Sequence, residues 1–109
     1  MPTAYKVLGQ VAPSATTATT AYTCPSATQT IISSIVVANR GTTSATYRIA
    51  IRPNGATLAN EHYIAFDVAI AANDSTALTL GITIDAADVV TVYSSNANLS
   101  FNLYGSEIN

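Results

Sequence analysis

Short runs of β-branched and aromatic residues recur along the whole chain, separated by Gly, Pro, Asn and Ser at intervals of about a dozen residues. A helical spacing of apolar residues is hard to find. Without helices to serve as parallel crossovers, strands this short pair antiparallel and stack as two sheets. The pattern therefore predicts an all-β fold, an antiparallel β-sandwich of jelly-roll or Ig-like type with about eight strands. These strands are predicted at residues 4–11, 20–24, 28–39, 45–52, 61–70, 78–84, 89–94 and 99–105.

A chain of 109 residues has the usual size of one domain, so we expect a single sandwich over residues 1–109. Residues 1–20 are a candidate extended arm or connector, because Pro13 closes the first strand and a Ser/Thr/Ala run follows it. Within that segment, residues 1–11 and 14–20 are the two candidate arms.

Alternation within the predicted strands indicates which side chains face the core. In 45–52 the apolar positions alternate with Arg48 and Arg52, so both arginines should face outward. Residues 28–39 are apolar on both faces, and we expect both to be buried. In 78–84, Gly81 indicates a bulge or a close backbone approach. The remaining predicted core positions are Ile64, Phe66, Val68 and Ile70 in one strand, and Leu78, Leu80, Ile82 and Ile84 in the next.

Only 9% of the residues are charged, against about 25% in an average protein. The polar positions are filled mostly by Thr, Ser, Asn and Ala, which suits a surface that neighbouring subunits cover. The formal net charge is −2 and no window is basic, which excludes nucleic acid as a partner. No apolar run reaches the length of a membrane helix and no signal peptide is evident, so we expect synthesis in the cytoplasm and no membrane partner.

A catalytic site is not predicted. The one histidine, His62, lies outside any motif that links it to a nucleophile. Cys24 is predicted to be a small buried hydrophobic residue. The acidic corners at Asp74, Asp85 and Asp88 are explained by hydrogen bonds to nearby backbone N–H groups, without calcium. One cysteine and one histidine cannot form a zinc site within a single chain. We therefore expect a non-enzymatic protein without metal or cofactor.

Outward tyrosines and arginines are the candidate binding residues. Tyr22, Tyr63, Tyr93 and Tyr104 are candidates for outward faces, either as a surface that stacks on sugars or, as we favour, at interfaces and in the core. The set predicted to contact partners comprises Tyr5, Val7, Tyr22, Arg48, Arg52, His62, Tyr63 and Tyr104.

Several strand and turn segments carry a resemblance: residues 22–25 leading into 31–41, and residues 45–49, 70–74, 78–83 and 99–108. These segments resemble small virion structural proteins of tailed bacteriophages, including those of cyanobacterial phages. The similar segments are strands and turns, so the resemblance implies a class of protein and assigns no site residue.

The resemblance implies a head or tail component of the virion, and the small size suits a capsid cement or decoration protein that binds the major capsid protein. A homo-oligomer, with a trimer favoured, is the arrangement common to such proteins. The candidate arms would then reach adjacent subunits, and deleting residues 1–11 would abolish attachment while leaving a folded core. The alternative is a tail, neck or fibre-associated module, or an adhesin that binds host-surface sugar through its tyrosines and arginines.

Overall fold

A computed structural model describes residues 2–109 and contains eight strands, which confirms the predicted all-β sandwich. Two short 3₁₀ turns, Pro53–Gly55 and Asn60–His62, interrupt the connection between the fourth and fifth strands. Over residues 2–109, no helix has the length and apolar character needed to cross a membrane. The strands are β1 Thr3–Val11, β2 Thr19–Thr23, β3 Gln29–Asn39, β4 Ala45–Arg52, β5 Tyr63–Ile70, β6 Ser75–Ile84, β7 Val89–Ser94 and β8 Leu99–Ile108.

The strands form two four-stranded antiparallel sheets. The first sheet has the order β1-β8-β3-β6 and the second has the order β2-β7-β4-β5. Consecutive strands mostly lie in opposite sheets, and each sheet contains strands from both the N-terminal and the C-terminal half of the chain. This is the jelly-roll arrangement of two Greek keys. An Ig-like sandwich would pair the first two strands within one sheet, so the topology decides between the two predicted types.

The core lies between the inner faces of the sheets. The first sheet contributes Ile32, Ile35, Leu99, Phe101 and Leu103, and the second contributes Tyr47, Ile49, Val90 and Val92. All are buried. Tyr47 and Phe101 meet edge to face across the interface, with ring centroids 6.2 Å apart, a geometry that aromatic pairs favour.

The prediction that both faces of β3 are buried is wrong for the single chain. Its inward residues are fully covered by the second sheet, but Ile31 is exposed and Val36 is only half-buried. Within residues 2–109, no element packs on the outer face of the first sheet, since the strands form only two layers.

The predicted core face of β5 is also wrong, except at Ile70. β5 is an edge strand whose register against β4 shifts twice, and Asp67 adopts a left-handed backbone with φ of 51°. A shift reverses the strict alternation on which the prediction depended. Ala65 therefore pairs with the inward Ile49, and Ile64 and Phe66 are exposed. Val68 still pairs with the inward Tyr47, but it is exposed as well on this edge strand.

A bulge at Gly81 in β6 confirms the role predicted for this glycine. Its φ is +64°, and in the pairing with β3 the two residues Leu80 and Gly81 lie opposite the single residue Ser33. Leu80, predicted to be core, is exposed instead because it falls within this bulge.

Residues 3–11 form a strand of the sheet and are not a free arm. β1 pairs with β8 from Thr3 opposite Ile108 to Val11 opposite Phe101, and Leu8 and Val11 pack against the core. Of the predicted arm 1–20, Pro2 and residues 12–18 lie outside the strands, and 12–18 form the connector to β2. Met1 lies outside the described residues.

Candidate functional site

An apolar strip runs along the outer face of the first sheet. Val7 pairs with Tyr104, and Tyr5 and Ile31 both pair with Ser106, so these side chains lie in two adjacent rows on one face. Tyr5 is 86% exposed, and the other apolar side chains of the strip are also accessible. We refer to Tyr5, Val7, Ile31 and Tyr104 as the apolar strip.

Along the strands, the outward residues that surround the apolar strip are polar but uncharged, and the carboxylates of Asp85 and Asp88 line a pocket together with Ile31. The two ionic residues of the four strands, Lys6 and Glu107, pair with the inward positions Gly105 and Thr30. Outward positions carry small or amide side chains, including Gln10, whose Nε2 donates to Asn102 Oδ1 at 2.8 Å. The strip therefore lies on a face without charge along these strands.

The outer face of the second sheet carries a different arrangement, centred on Arg48. Its guanidinium carbon lies 4.2 Å from the ring centroid of Phe66 and 4.3 Å from that of Tyr93, which places it between two aromatic rings. Nε donates to Asp67 Oδ1 at 2.7 Å and Nη2 donates to Oδ2 at 3.3 Å. The hydrogen bond to Asp67 raises the pKa of Arg48 above its ordinary value. Tyr63 completes this group, which we call the arginine cluster, by meeting Phe66 edge to face at 4.9 Å.

A pocket of about 210 Å³ lies beside the arginine cluster. Ala50 and Thr91 lie at its base, and both are almost completely buried. The connector that precedes β2 flanks one side, and the β4–β5 loop flanks another. The lining residues are Thr16, Ala18, Arg48, Ala50, Leu58, Tyr63, Thr91, Val92 and Tyr93.

Arg52 and His62 hold the β4–β5 loop in place. Arg52 Nε donates to the carbonyl of Ala56 at 2.7 Å, and Nη2 donates to that of Gly55 at 3.0 Å. His62 Nδ1 accepts a hydrogen bond from Ala59 N at 3.0 Å. Both predicted contact residues are thus engaged in shaping the loop next to the pocket.

Tyr22 belongs to the set predicted to contact partners, but it is only 8% exposed and its ring lies in the core, which is one of the two positions favoured for the tyrosines. Its hydroxyl donates to Glu107 Oε2 at 2.5 Å and lies 2.8 Å from Thr30 Oγ1. Lys6 Nζ donates to the other oxygen of Glu107 at 3.1 Å. Since β2 belongs to one sheet and Thr30 and Glu107 to the other, these bonds join the two sheets.

Cys24 and Asp88, for which the sequence predicts no catalytic or metal-binding role, form local hydrogen bonds. Cys24 is buried, and its thiol donates to the carbonyl of Thr28 at 3.3 Å. Asp88 accepts hydrogen bonds from the backbone of Asn54 and Asp85, both at 2.8 Å, as expected for a loop corner. Within residues 2–109, no three His, Cys, Asp or Glu side chains are grouped as a metal site would require.

The structure places the predicted contact residues on two opposite faces. Tyr5, Val7 and Tyr104 share the first sheet, whereas Arg48 and Tyr63 share the second. Ile31 and Phe66 are expected in the core from the sequence pattern, so one member of each group is not predicted. The outward direction predicted for Arg48 was the available signal for the second group. No protein-family model matches the chain, and a comparison with curated proteins finds no match either.

Proposed function

We propose that this chain is a non-enzymatic structural protein of a tailed-phage virion, a capsid cement or decoration protein that bridges subunits of the major capsid protein. The observation that carries the proposal is the apolar strip on an uncharged sheet face. The jelly-roll topology and the resemblance of the strand sequences to virion structural proteins support it. Jelly rolls also serve other functions, so the topology alone would not be sufficient.

The apolar strip suits a permanent contact. Apolar and aromatic side chains with few charges characterise the buried centre of an interface, and tyrosine is enriched there. Contact with a capsid surface would remove Tyr5 and Val7 from water, which gains about 1.5–3 kcal/mol for a fully buried large apolar side chain. Weak net charge favours such close packing, since the subunits do not repel one another.

The chain is proposed to act as a homo-oligomer, with a trimer favoured, located in the virion. β1 is the edge of the first sheet, and Tyr5 and Val7 lie on it. An edge strand leaves one row of backbone N–H and C=O groups without sheet partners, which a neighbouring subunit can pair. Edge and strip together form a continuous contact surface.

The experiment is a reconstruction of the particle whose genome encodes the chain, combined with binding of purified variants to particles assembled without it. Hundreds of copies on the head, attached through the first sheet, are expected. Val7→Asp puts a charge at the centre of the strip and should reduce attachment at least tenfold. Ile64→Asp, at an exposed apolar residue of the opposite sheet, is the matched control and should attach normally.

Three results would contradict the proposal. Full attachment of Val7→Asp would show that the strip is not the contact. Copies in multiples of three, six or twelve on the tail or neck would favour the alternative of a tail, neck or fibre-associated module. Absence of the chain from the particle would remove the virion assignment altogether.

A further inference from the structure

We propose that the pocket beside the arginine cluster binds a single neutral pyranose ring of a glycan. This inference concerns the second sheet and does not depend on attachment through the apolar strip. The size of the pocket is the first argument. Its volume of about 210 Å³ is below the roughly 300–1,000 Å³ of pockets that enclose drug-sized ligands, so it accommodates one ring.

The charge of the lining indicates a neutral ligand. Arg48 is the one charged residue among the lining residues, and Asp67 already binds it through both carboxylate oxygens. A carboxylate or phosphate ligand would have to displace Asp67 from Arg48, since the other nearby guanidinium, that of Arg52, is already held by the carbonyls of Gly55 and Ala56. An anion without a cationic partner is unfavourable in a desolvated site. A neutral ligand avoids this penalty.

The polar groups of the lining suit a ligand with several hydroxyls. Thr91 is 6% exposed, and its Oγ1 accepts from Arg52 Nη1 at 3.4 Å, which leaves its own hydroxyl proton to donate. Thr16 Oγ1 donates to the carbonyl of Ala15, which leaves its oxygen as an acceptor. The hydroxyls of Tyr63 and Tyr93 make no hydrogen bond to any other described residue. Donors and acceptors thus surround a base to which Ala50 contributes an apolar methyl group.

The aromatic lining suits the C–H face of a sugar ring. A tyrosine side chain has an apolar ring face and a hydroxyl at its edge. A pyranose has an apolar C–H face and hydroxyls at its edge, so the two rings can stack while their hydroxyls form hydrogen bonds. The stack Tyr63–Phe66–Arg48–Tyr93 orders both tyrosines before a ligand arrives. Ordering beforehand reduces the entropy lost on binding. Arg48 is therefore a positioning residue here and not a direct ligand.

The test is a titration of the full, isotope-labelled chain followed by amide NMR shifts. The probes are methyl α-D-glucopyranoside, methyl β-D-galactopyranoside and N-acetylglucosamine, with glucuronate and inorganic phosphate as charged comparisons. At least one neutral probe is expected to shift the amides of Thr16, Leu58, Thr91 and Tyr93 with millimolar affinity, while the apolar strip is unaffected. A charged probe that binds more tightly than every neutral one would overturn the proposal.

Three variants locate the binding. Tyr63→Ala removes an aromatic wall, and Ala18→Leu fills the pocket from an exposed lining position, so each should weaken binding at least tenfold. Tyr5→Ala, on the opposite sheet, should bind as the parent does.

If Tyr63→Ala fails to fold, the Ala18→Leu variant alone decides whether the pocket is the binding site. Unchanged binding in Ala18→Leu, or no shifts with neutral probes at tens of millimolar, would refute the site. Loss of capsid attachment in Val7→Asp with sugar binding intact would separate this site from the proposed assembly surface.

Discussion

Individual side chains determine how the two layers of this sandwich are held in register. Tyr22, Thr30 and Glu107 form hydrogen bonds from one sheet to the other at an otherwise apolar interface. Burial, followed by the bond to Glu107, raises the pKa of Tyr22 far above its ordinary value. The phenol therefore remains protonated and continues to donate. Bonds of this kind have directional geometry, which apolar contacts lack, and so specify one alignment of the sheets.

Replacing Glu107 should remove a pH-dependent contribution to the free energy of unfolding. The bond from Tyr22, and then the contacts with Lys6, lower the pKa of Glu107 below its ordinary value. A lowered pKa in the folded state stabilises the protein above the unfolded-state pKa of about 4.3, and this stability is lost as the pH falls through the folded-state value. The difference in unfolding free energy between the parent and Glu107→Gln should therefore shrink as the pH falls below about 4. Urea unfolding from neutral to strongly acidic pH measures it.

Tyr22→Phe is the companion variant, since it removes only the hydroxyl. At neutral pH it should lose about 1–3 kcal/mol of stability, because Glu107 and Thr30 lose a buried partner. Tyr104→Phe is the matched control on the exposed strip and should change stability by less than about 0.5 kcal/mol.

For Glu107→Gln, a difference in unfolding free energy from the parent that is the same at every pH would show that Glu107 makes no pH-dependent contribution to stability.

Strand irregularities give the sheets their curvature and decide which residues reach the surface. Register shifts occur in the pairings β1–β8, β2–β7, β3–β6, β3–β8 and β4–β5. Gly105 lies beside one of them, and its backbone approaches β3 so closely that a Cβ atom would collide with the carbonyl of Ile31. Gly81 lies in another, with φ of +64° but open space around it.

The two glycines should respond very differently to alanine. Gly81→Ala introduces only a left-handed backbone strain, of about 1–2 kcal/mol. In Gly105→Ala the new methyl group forces β3 and β8 apart at the centre of the first sheet. The free energy of unfolding should fall by more than about 3 kcal/mol, beyond the usual loss for a single substitution. Urea unfolding of both variants at neutral pH measures the difference. Equal losses would mean that β3 and β8 can separate without penalty at this position.

At the scale of the whole molecule, the two ends of the chain complete the first sheet. Lys6 and Glu107 are 101 positions apart in sequence yet form an ion pair at 3.1 Å. β1 extends one edge of the sheet and places Leu8 and Val11 against the core. Contacts between such distant residues make folding slow, because the chain must close long loops before they form.

Deletion of residues 1–11 should destabilise the fold and not merely detach an arm. It removes the partial burial of Leu8 and Val11, where full burial would contribute about 1.5–3 kcal/mol each, and it uncovers the backbone edge of β8. A loss of this size is a large part of the roughly 5–15 kcal/mol that stabilises a typical domain. Thermal unfolding should show a much lower midpoint, with aggregation through the open edge. A truncated chain with the parent midpoint would restore the arm interpretation.

Much of this architecture was predictable from local sequence. All eight strands were found near their observed bounds because turn residues and β-branched runs act over a few neighbouring positions. The outward direction of Arg48 followed from alternation in β4, which is regular where it pairs with β7. The exposure of Phe66 and Leu80 could not be predicted in this way. The extra residue of a nearby bulge changes which face of the sheet the following side chains point to, and amino-acid composition gives no clear sign of such a bulge.

The sequence by itself determined the fold class, the strand positions and the weakly charged surface, since each depends on residue type and short-range spacing. Only the tertiary structure decided the jelly-roll order, the position of residues 3–11 within a sheet, and the division of the candidate contact residues between two faces. It also brought Arg48 between Phe66 and Tyr93, and Tyr22 to Glu107. These outcomes depend on the pairing of strands that are distant along the chain, and local patterns do not encode that pairing.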